Sequence, residues 1–406
     1  MAVNLSEPTD LLDINGASLG VAEAGIRYKN RDDLLVICFA KGSISSAVFT
    51  QNKFCAAPVY IAKENLSKAS PRALLINSGN ANAVTGEKGL QDAKQSCALL
   101  AEALDIQPSE VLPFSTGVIG ELLPMDAIKR GITIAGNSLG DSSWLDASKA
   151  IMTTDTVAKA ISHQFQINGE QITVTGIAKG SGMICPNMAT MLGYVVTDAK
   201  VSQAVLDEIT ARVADLSFNA ISVDGDTSTN DAYVVTATQQ ANNQCIENVV
   251  SNEAKQLEEA ILMVSQQLAQ AIVRDGEGAT KFVQIHVSGG HSFEDCESVA
   301  YTLAHSPLVK TALFASDPNW GRLLMAVGRA PVNELDPNQV SVSVNGLPIV
   351  KLGQPDSSYT EEKGQTVFNQ TELNIHISLG ESTFEKIVWT TDLSHEYVSI
   401  NADYRS

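Results

Sequence analysis

The 406-residue chain lacks an apolar run of 18 residues, so no membrane-spanning helix is expected. Its opening, MAVNLSEPTD, has neither a basic start nor an apolar stretch, which argues against a secretory leader. The Asn-x-Ser/Thr matches at Asn4, Asn65 and Asn369 then read as chance. Positive charge is scarce: 27 Lys and Arg stand against 46 Asp and Glu, for a net charge of −19. Nucleic acid and anionic membrane surfaces need clustered cations, so neither is an expected partner. Six scattered cysteines form no Cys-x-x-Cys pair. That suits reduced thiols in a cytoplasm and offers no zinc framework. There is no His-Glu-x-x-His, so no metal or prosthetic group is expected and none of the six histidines is an obvious partner for a nucleophile.

What is present reads as a layered α/β chain. DLLVICFA, SSAVFTQ and RALLINSG predict successive strands, and SEVLPFSTGVIG predicts a strand running into a Gly-rich turn. Leu90, Ala93, Cys97, Leu100, Ala101 and Leu104 recur at helical spacing. PMDAIKRGITIAG predicts a helix with Pro124 in its first turn. Asn168-Gly169 marks a hairpin tip, and strand-like residues flank Asn345-Gly346 as well. Further helices are predicted over roughly 201–217 and 251–274 and after DPNWGR. AYVVTAT, KFVQIHVSG, VKTALFAS and ELNIHISLG read as strands. No repeat and no clear linker divides the chain.

Two motifs fail on inspection. DGDTSTND (224–231) gathers three carboxylates, but it lacks the Gly and the terminal Glu of an EF-hand loop. GEGATK (276–281) interrupts the Gly-Lys-Ser/Thr order of a phosphate loop. A hydroxyl nucleophile must then find its base elsewhere. KGSGMICPNMATMLGY (179–194) offers one way. Cleavage of Ala189–Thr190 would give Thr190 its own α-amine, with a reference pKa near 7.7–8.0 and within reach of its Oγ. Gly180 and Gly182 permit a sharply bent approach, and Ala189 is small. On these residues alone, a plain turn between two strands remains the simpler reading.

KGSGMICPNMATMLGY closely resembles the self-cleaving segment of the ornithine acetyltransferase family, the bifunctional glutamate N-acetyltransferases of arginine biosynthesis. NSGNANAVTGEKG (77–89), STGVIGELLPMDAI (115–128), IMTTDT (151–156), FNAISVDGDTSTND (218–231), RDGEGATKF (274–282), SDPNWGR (316–322) and the terminal INADYRS resemble that family's other signature segments, in its order.

The resemblance implies a self-processing, N-terminal-threonine scaffold grouped with the self-cleaving aminopeptidases. Residues 1–189 would form an α fragment and 190–406 a β fragment, sharing one compact fold as two copies of each. Thr190 would be the nucleophile for both cleavage and catalysis, with Thr116 and Gly117 as the oxyanion hole. Substrate contacts would fall to Thr153, Lys179, Thr190, Glu277, Asn401 and Ser406. The acetyl group would move from N2-acetylornithine to glutamate through acetyl-Thr190, with acetyl-CoA as a possible second donor. A hydrolase on the same scaffold differs only in using water as acceptor. A non-catalytic binding protein would not need the retained Ala189-Thr190, Thr116-Gly117 and Lys179 set.

Overall fold

The computed structural model describes residues 2–185 and 191–402. Ala189, Thr190 and Ser406 lie outside the described residues. The chain divides into two compact units. The larger holds Glu7–Asn219 and Asp226–Ile272; the smaller holds Met1–Ser6, Ala220–Gly225 and Val273–Ser406. The expected scission point at 189/190 thus falls within the sequence span of the larger unit.

The larger unit contains β1 (Ala17–Ala22), β2 (Leu34–Phe39), β3 (Ile44–Phe49), β4 (Ala73–Asn80) and β5 (Val111–Val118). It continues with β6 (Lys159–Ile167), β7 (Glu170–Lys179) and β8 (Leu192–Thr197). β9 (Ile221–Ser222) belongs to the smaller unit, and β10 (Ala232–Ala237) to the larger. Two sheets result, in the orders β1-β2-β4-β5 and β3-β10-β8-β7-β6. Their inner faces share one core: Leu35, Ile37, Leu74, Ile76 and Phe114 from the first meet Ile177, Leu192, Tyr194 and Val234 from the second. The rings of Phe114 and Tyr194 meet edge-on at 5.2 Å. Residues one step along the strands face outward, as a period of two requires. Leu34, Val36, Leu75 and Val111 therefore pack on the helices Gly86–Leu104 and Met125–Asn137, through Cys97, Leu100, Ile128 and Ile132. On the other outer face, Tyr233 bonds Ser265 at 2.7 Å, and Gly176 lies under Leu268 and Val264 of the helix Asn252–Arg274. The unit is a four-layer stack of helices, sheet, sheet and helices, so the expected layered α/β class is what the chain adopts.

The smaller unit adds β11 (Phe282–Gly290), β12 (Ser341–Val344), β13 (Leu347–Lys351), β14 (Gln354–Pro355), β15 (Glu372–Ser378) and β16 (Phe384–Thr391). With β9 they form one sheet, in the order β14-β13-β12-β15-β11-β16-β9. Val283, Ile285 and Val287 alternate onto one face of it, where they meet Val299, Leu303, Val309, Leu313 and Leu323 from three helices. Polar residues take the alternate positions: His286 and His376 lie side by side at 4.7 Å.

One predicted strand is a helix. VKTALFAS falls mostly within the helix Pro307–Phe314. Ser306 caps it by accepting the Val309 N–H, Pro307 occupies the first turn, and Val309, Ala312 and Leu313 are buried at helical spacing. The cap and the proline outweigh the residues that suggested a strand. The hairpin tips are as expected: Asn168-Gly169 and Asn345-Gly346 both have positive φ at both positions, the type I′ pattern. Among the described residues, no helix is long and apolar enough to cross a membrane.

A helix packs closely on the sheet at Gly20. A Cβ there would sit 2.1 Å from the carbonyl oxygen of Ala135. Gly20→Val should therefore lower the unfolding free energy by about 1–3 kcal/mol or more, since a packed layer cannot absorb the added methyls. Urea unfolding measures it; an unchanged midpoint would mean that the helix Met125–Asn137 slides away freely.

Candidate active site

Thr116 and Gly117 close β5, where the strand leaves its partner. β4 and β5 run parallel in register up to Gly79↔Gly117, and the register then slips at Asn80. Gly117 has φ +133°, and a Cβ on it would lie 2.2 Å from the carbonyl carbon of Gly79 and 2.5 Å from the Asn80 nitrogen. Only glycine fits such a crossing. Gly79 itself has φ +95°.

Where the ladder fails, amide side chains replace it. Asn77 Nδ2 donates to the Asn80 carbonyl at 2.9 Å, and Asn80 Nδ2 donates to the Leu122 carbonyl at 3.0 Å. Asn230 Nδ2 reaches two carbonyls, those of Ala81 at 2.6 Å and Ser115 at 2.9 Å. The Ser115 hydroxyl donates to Asn77 Oδ1 at 2.5 Å. A buried backbone left without partners is strongly disfavoured, so these asparagines are what makes the irregular strand ends tolerable.

Lys179 ends β7, and its side chain is buried. Its Nζ donates to Thr116 Oγ1 at 3.1 Å. An ammonium can only donate, so Thr116 Oγ1 must accept here. The single hydroxyl proton of Thr116 is thereby left to point elsewhere.

Behind this contact lies a buried carboxylate. Asp155 Oδ1 accepts from Lys159 Nζ at 2.7 Å and from the Gly180 N–H at 2.7 Å. Asp155 Oδ2 accepts the Thr153 N–H at 3.0 Å. Both side chains of the Asp155–Lys159 pair are wholly buried. Burial by itself pushes the Asp155 carboxyl up; the charges of Lys159 and Lys179 and the Gly180 N–H outweigh it and hold the acid far below the ordinary range. Gly180 has φ +147°, another conformation that favours glycine. Next to it, Thr154 and Ser181 share a hydroxyl–hydroxyl bond of 2.6 Å.

β7 and β8 are antiparallel, and Lys179 pairs with Leu192. Met191 is buried, and its carbonyl accepts the Ala232 N–H at 3.1 Å. The chain is thus fixed in the sheet immediately after position 190.

In the smaller unit, Glu277 is buried and its Oε2 accepts from Asn401 Nδ2 at 2.8 Å. The predicted residues therefore form two groups. Thr116, Gly117, Lys179 and Thr153 are brought together in the larger unit, and Glu277 and Asn401 in the smaller. Asp155, Lys159 and Asn230 were not singled out from the sequence. Asp155 and Asn230 do lie inside the segments quoted above, but nothing local marks a carboxylate as buried. Among the described residues, no group of three His, Cys, Asp or Glu could hold a metal ion.

A family model, that of the ArgJ family, matches residues 18–406. The arginine biosynthesis bifunctional protein ArgJ of Pseudomonas fluorescens (strain Pf0-1) is 50% identical over 406 residues, covering 100% of both chains. The chain belongs to the ArgJ family. The protein of the same name from Pseudomonas syringae pv. tomato (strain ATCC BAA-871 / DC3000) matches this ArgJ-family chain equally, at 50% identity over 100% of each. Among solved structures, the arginine biosynthesis bifunctional protein argJ of Bacillus halodurans is 31% identical with a TM-score of 0.49, covering 52% of this chain and 97% of that one. The resemblance drawn from the signature segments is borne out.

Asp155→Asn should cost this ArgJ-family chain about 3–5 kcal/mol at neutral pH, because two buried ammonium groups lose their counter-charge. The native acid is held low, so its contribution is complete above the ordinary carboxylate range near 3.9 and fades as pH falls below it. Urea midpoints of the native and variant proteins should converge on acidification. A constant gap down to about pH 2 would show that the carboxylate charge is not what matters.

Proposed function

We propose that this chain is an acetyltransferase of arginine biosynthesis that moves the acetyl group of N2-acetylornithine to glutamate through acetyl-Thr190. The observation that carries the reading is the position of Lys179. It donates to Thr116 Oγ1 and is the register partner of Leu192, two residues after Thr190. One lysine thus links the predicted oxyanion hole to the strand that follows the predicted nucleophile.

The chemistry runs in two stages. Thr190 Oγ attacks the Ala189 carbonyl, the peptide bond breaks, and water hydrolyses the resulting ester. The freed α-amine of Thr190 then serves as base to its own hydroxyl. Oγ attacks the acetyl carbonyl of N2-acetylornithine, the C–N bond breaks, and ornithine leaves with the proton as an amine. Glutamate's amine attacks acetyl-Thr190, and Oγ takes back its proton as N-acetylglutamate departs. Each tetrahedral intermediate carries an oxyanion. The Thr116 hydroxyl donates to it, polarised by Lys179 on its lone pair, and the Gly117 N–H is the second donor. Thr153, Glu277, Asn401 and Ser406 contact the amino-acid substrates, with Glu277 facing an amine.

The relatives are named bifunctional, which fits acetyl-CoA as a second donor to the same threonine. The fragments 1–189 and 190–406 remain associated, two copies of each. Six scattered cysteines with no Cys-x-x-Cys pair suit a reducing cytoplasm.

Purified protein should run as two fragments, whereas Thr190→Ala should stay one chain of 43.1 kDa. Continued cleavage of that variant at the same bond would remove Thr190 as nucleophile. Incubated with N2-acetylornithine alone, the β fragment should gain one acetyl group on Thr190; its absence from the intact mass would sink the double displacement. Thr116→Ala, assembled from co-expressed 1–189 and 190–406, should lose about 10²–10³ in kcat with a far smaller change in KM. A normal kcat would make the STGVIG turn purely structural. Acetyl-enzyme consumed no faster by glutamate than by water would point to a hydrolase.

A further inference from the structure

DGDTSTND has no part in the transfer steps above and the loop GEGATK enters them only through Glu277, yet both lead to the same helix. The helix His395–Ala402 carries Asn401, whose Nδ2 donates to Glu277 Oε2 and to the Tyr397 carbonyl at 3.0 Å. Its first turn rests on the loop. Ser394 Oγ donates to the Gly278 carbonyl at 2.7 Å and accepts the Tyr397 N–H at 3.3 Å. Gly278 has φ +67°, and a Cβ on it would lie 2.5 Å from the Tyr397 nitrogen. These contacts fix where the helix starts. They leave its rotation about its own axis to the side chains.

Tyr397 and Asn401 are four residues apart and share one face of the helix. The Tyr397 hydroxyl donates to Asp224 Oδ2 at 3.2 Å. Asp224 is the first carboxylate of DGDTSTND, and it lies near Lys310, which is fully buried. Burial pushes that ammonium down to about 8, against the pull of Asp392 and Asp224. Lys310 Nζ donates to Thr390 Oγ1 at 3.1 Å and to the Thr391 carbonyl. Asp392 in turn accepts the N–H groups of Thr280 at 2.8 Å and Lys281 at 2.9 Å, the far end of the same loop. One buried cation thus stands near two carboxylates: Asp392 holds the loop that carries Glu277, and Asp224 holds the helix that carries Asn401.

We propose that Tyr397, anchored on Asp224, is a positioning residue for substrate binding: its hydroxyl sets the rotation of the C-terminal helix, and with it the Asn401–Glu277 contact. This rests on the reading above that Glu277 and Asn401 meet the substrate. A positioning residue acts on binding, so its loss moves KM and leaves kcat near its native value.

The test uses the full-length purified protein, with N2-acetylornithine as donor and glutamate as acceptor. Tyr397→Phe removes one oxygen and keeps the ring. It should raise KM for N2-acetylornithine about three- to tenfold, as loss of one hydrogen bond of ordinary net strength implies, with kcat within about twofold. Asp224→Asn keeps an oxygen acceptor and should change KM less than Asp224→Ala. Added to Asn401→Ala, Tyr397→Phe should raise KM no further, because the two act as a unit. Amide exchange over residues 395–402 should quicken in Tyr397→Phe while the melting temperature stays within about 2 °C. If Asn401→Ala raises KM and Tyr397→Phe does not, the proposal is overturned and the assignment of Asn401 stands. If Asn401→Ala leaves KM unchanged while Tyr397→Phe quickens exchange, the strut stands and the substrate assignment falls. Unchanged exchange and unchanged KM in Tyr397→Phe would overturn the proposal outright.

Discussion

A carboxylate stripped of water must find its partners before its surroundings can settle, and Asp155 finds Lys159, the Gly180 N–H and the Thr153 N–H in the segments that build the site. Lys159 neutralises it, the Gly180 N–H binds the same oxygen, and the Thr153 N–H binds the other. These bonds fasten the end of β7, so the direction of Lys179 follows from them. Lys179 then decides how the Thr116 hydroxyl is oriented. Two ammonium groups and one carboxylate in a buried place would be unstable as separate charges. The carboxylate compensates both ammonium groups, so its removal would leave two like charges buried together.

The same economy governs the ends of β4 and β5. Gly79 and Gly117 let two backbones cross where side chains have no room. The crossing spoils the ladder, and the amides of Asn77, Asn80 and Asn230 donate to carbonyls around it. A regular parallel strand end would present no bent peptide of this kind. The site is therefore made of departures from regular structure, each one matched by a specific polar side chain.

Strands, hairpin tips and long helices were legible because their signals are local: short apolar runs in β2 and β4, Asn-Gly at both hairpins, helical spacing through Cys97 and Leu100. The segment around Lys310 was misread because valine, alanine and phenylalanine suit either state, and only the Ser306-Pro307 start decides it. The site residues were legible as members of an ordered set of segments, not as chemistry. Nothing in the spelling IMTTDT says that its aspartate is buried, since burial is fixed by the layers that close over it. Asn230 was likewise hidden: its partners are 149 and 115 residues away in sequence. Tyr397 and Asp224, at a separation of 173, were invisible for the same reason.

The pairing of β7 with β8 places both ends of the 180–191 stretch side by side, at Lys179 and Leu192. On the proposed reading, the chain is cut between two points that the sheet already holds together. The cut is then almost silent in the folded state, but it changes what unfolding means. Before it, the molecule refolds by closing short connections within one chain. Afterwards, unfolding releases two separate chains whose reunion depends on concentration. Such a protein would fold once, as a precursor, and its persistence would be set by how slowly it opens rather than by how readily it could re-form.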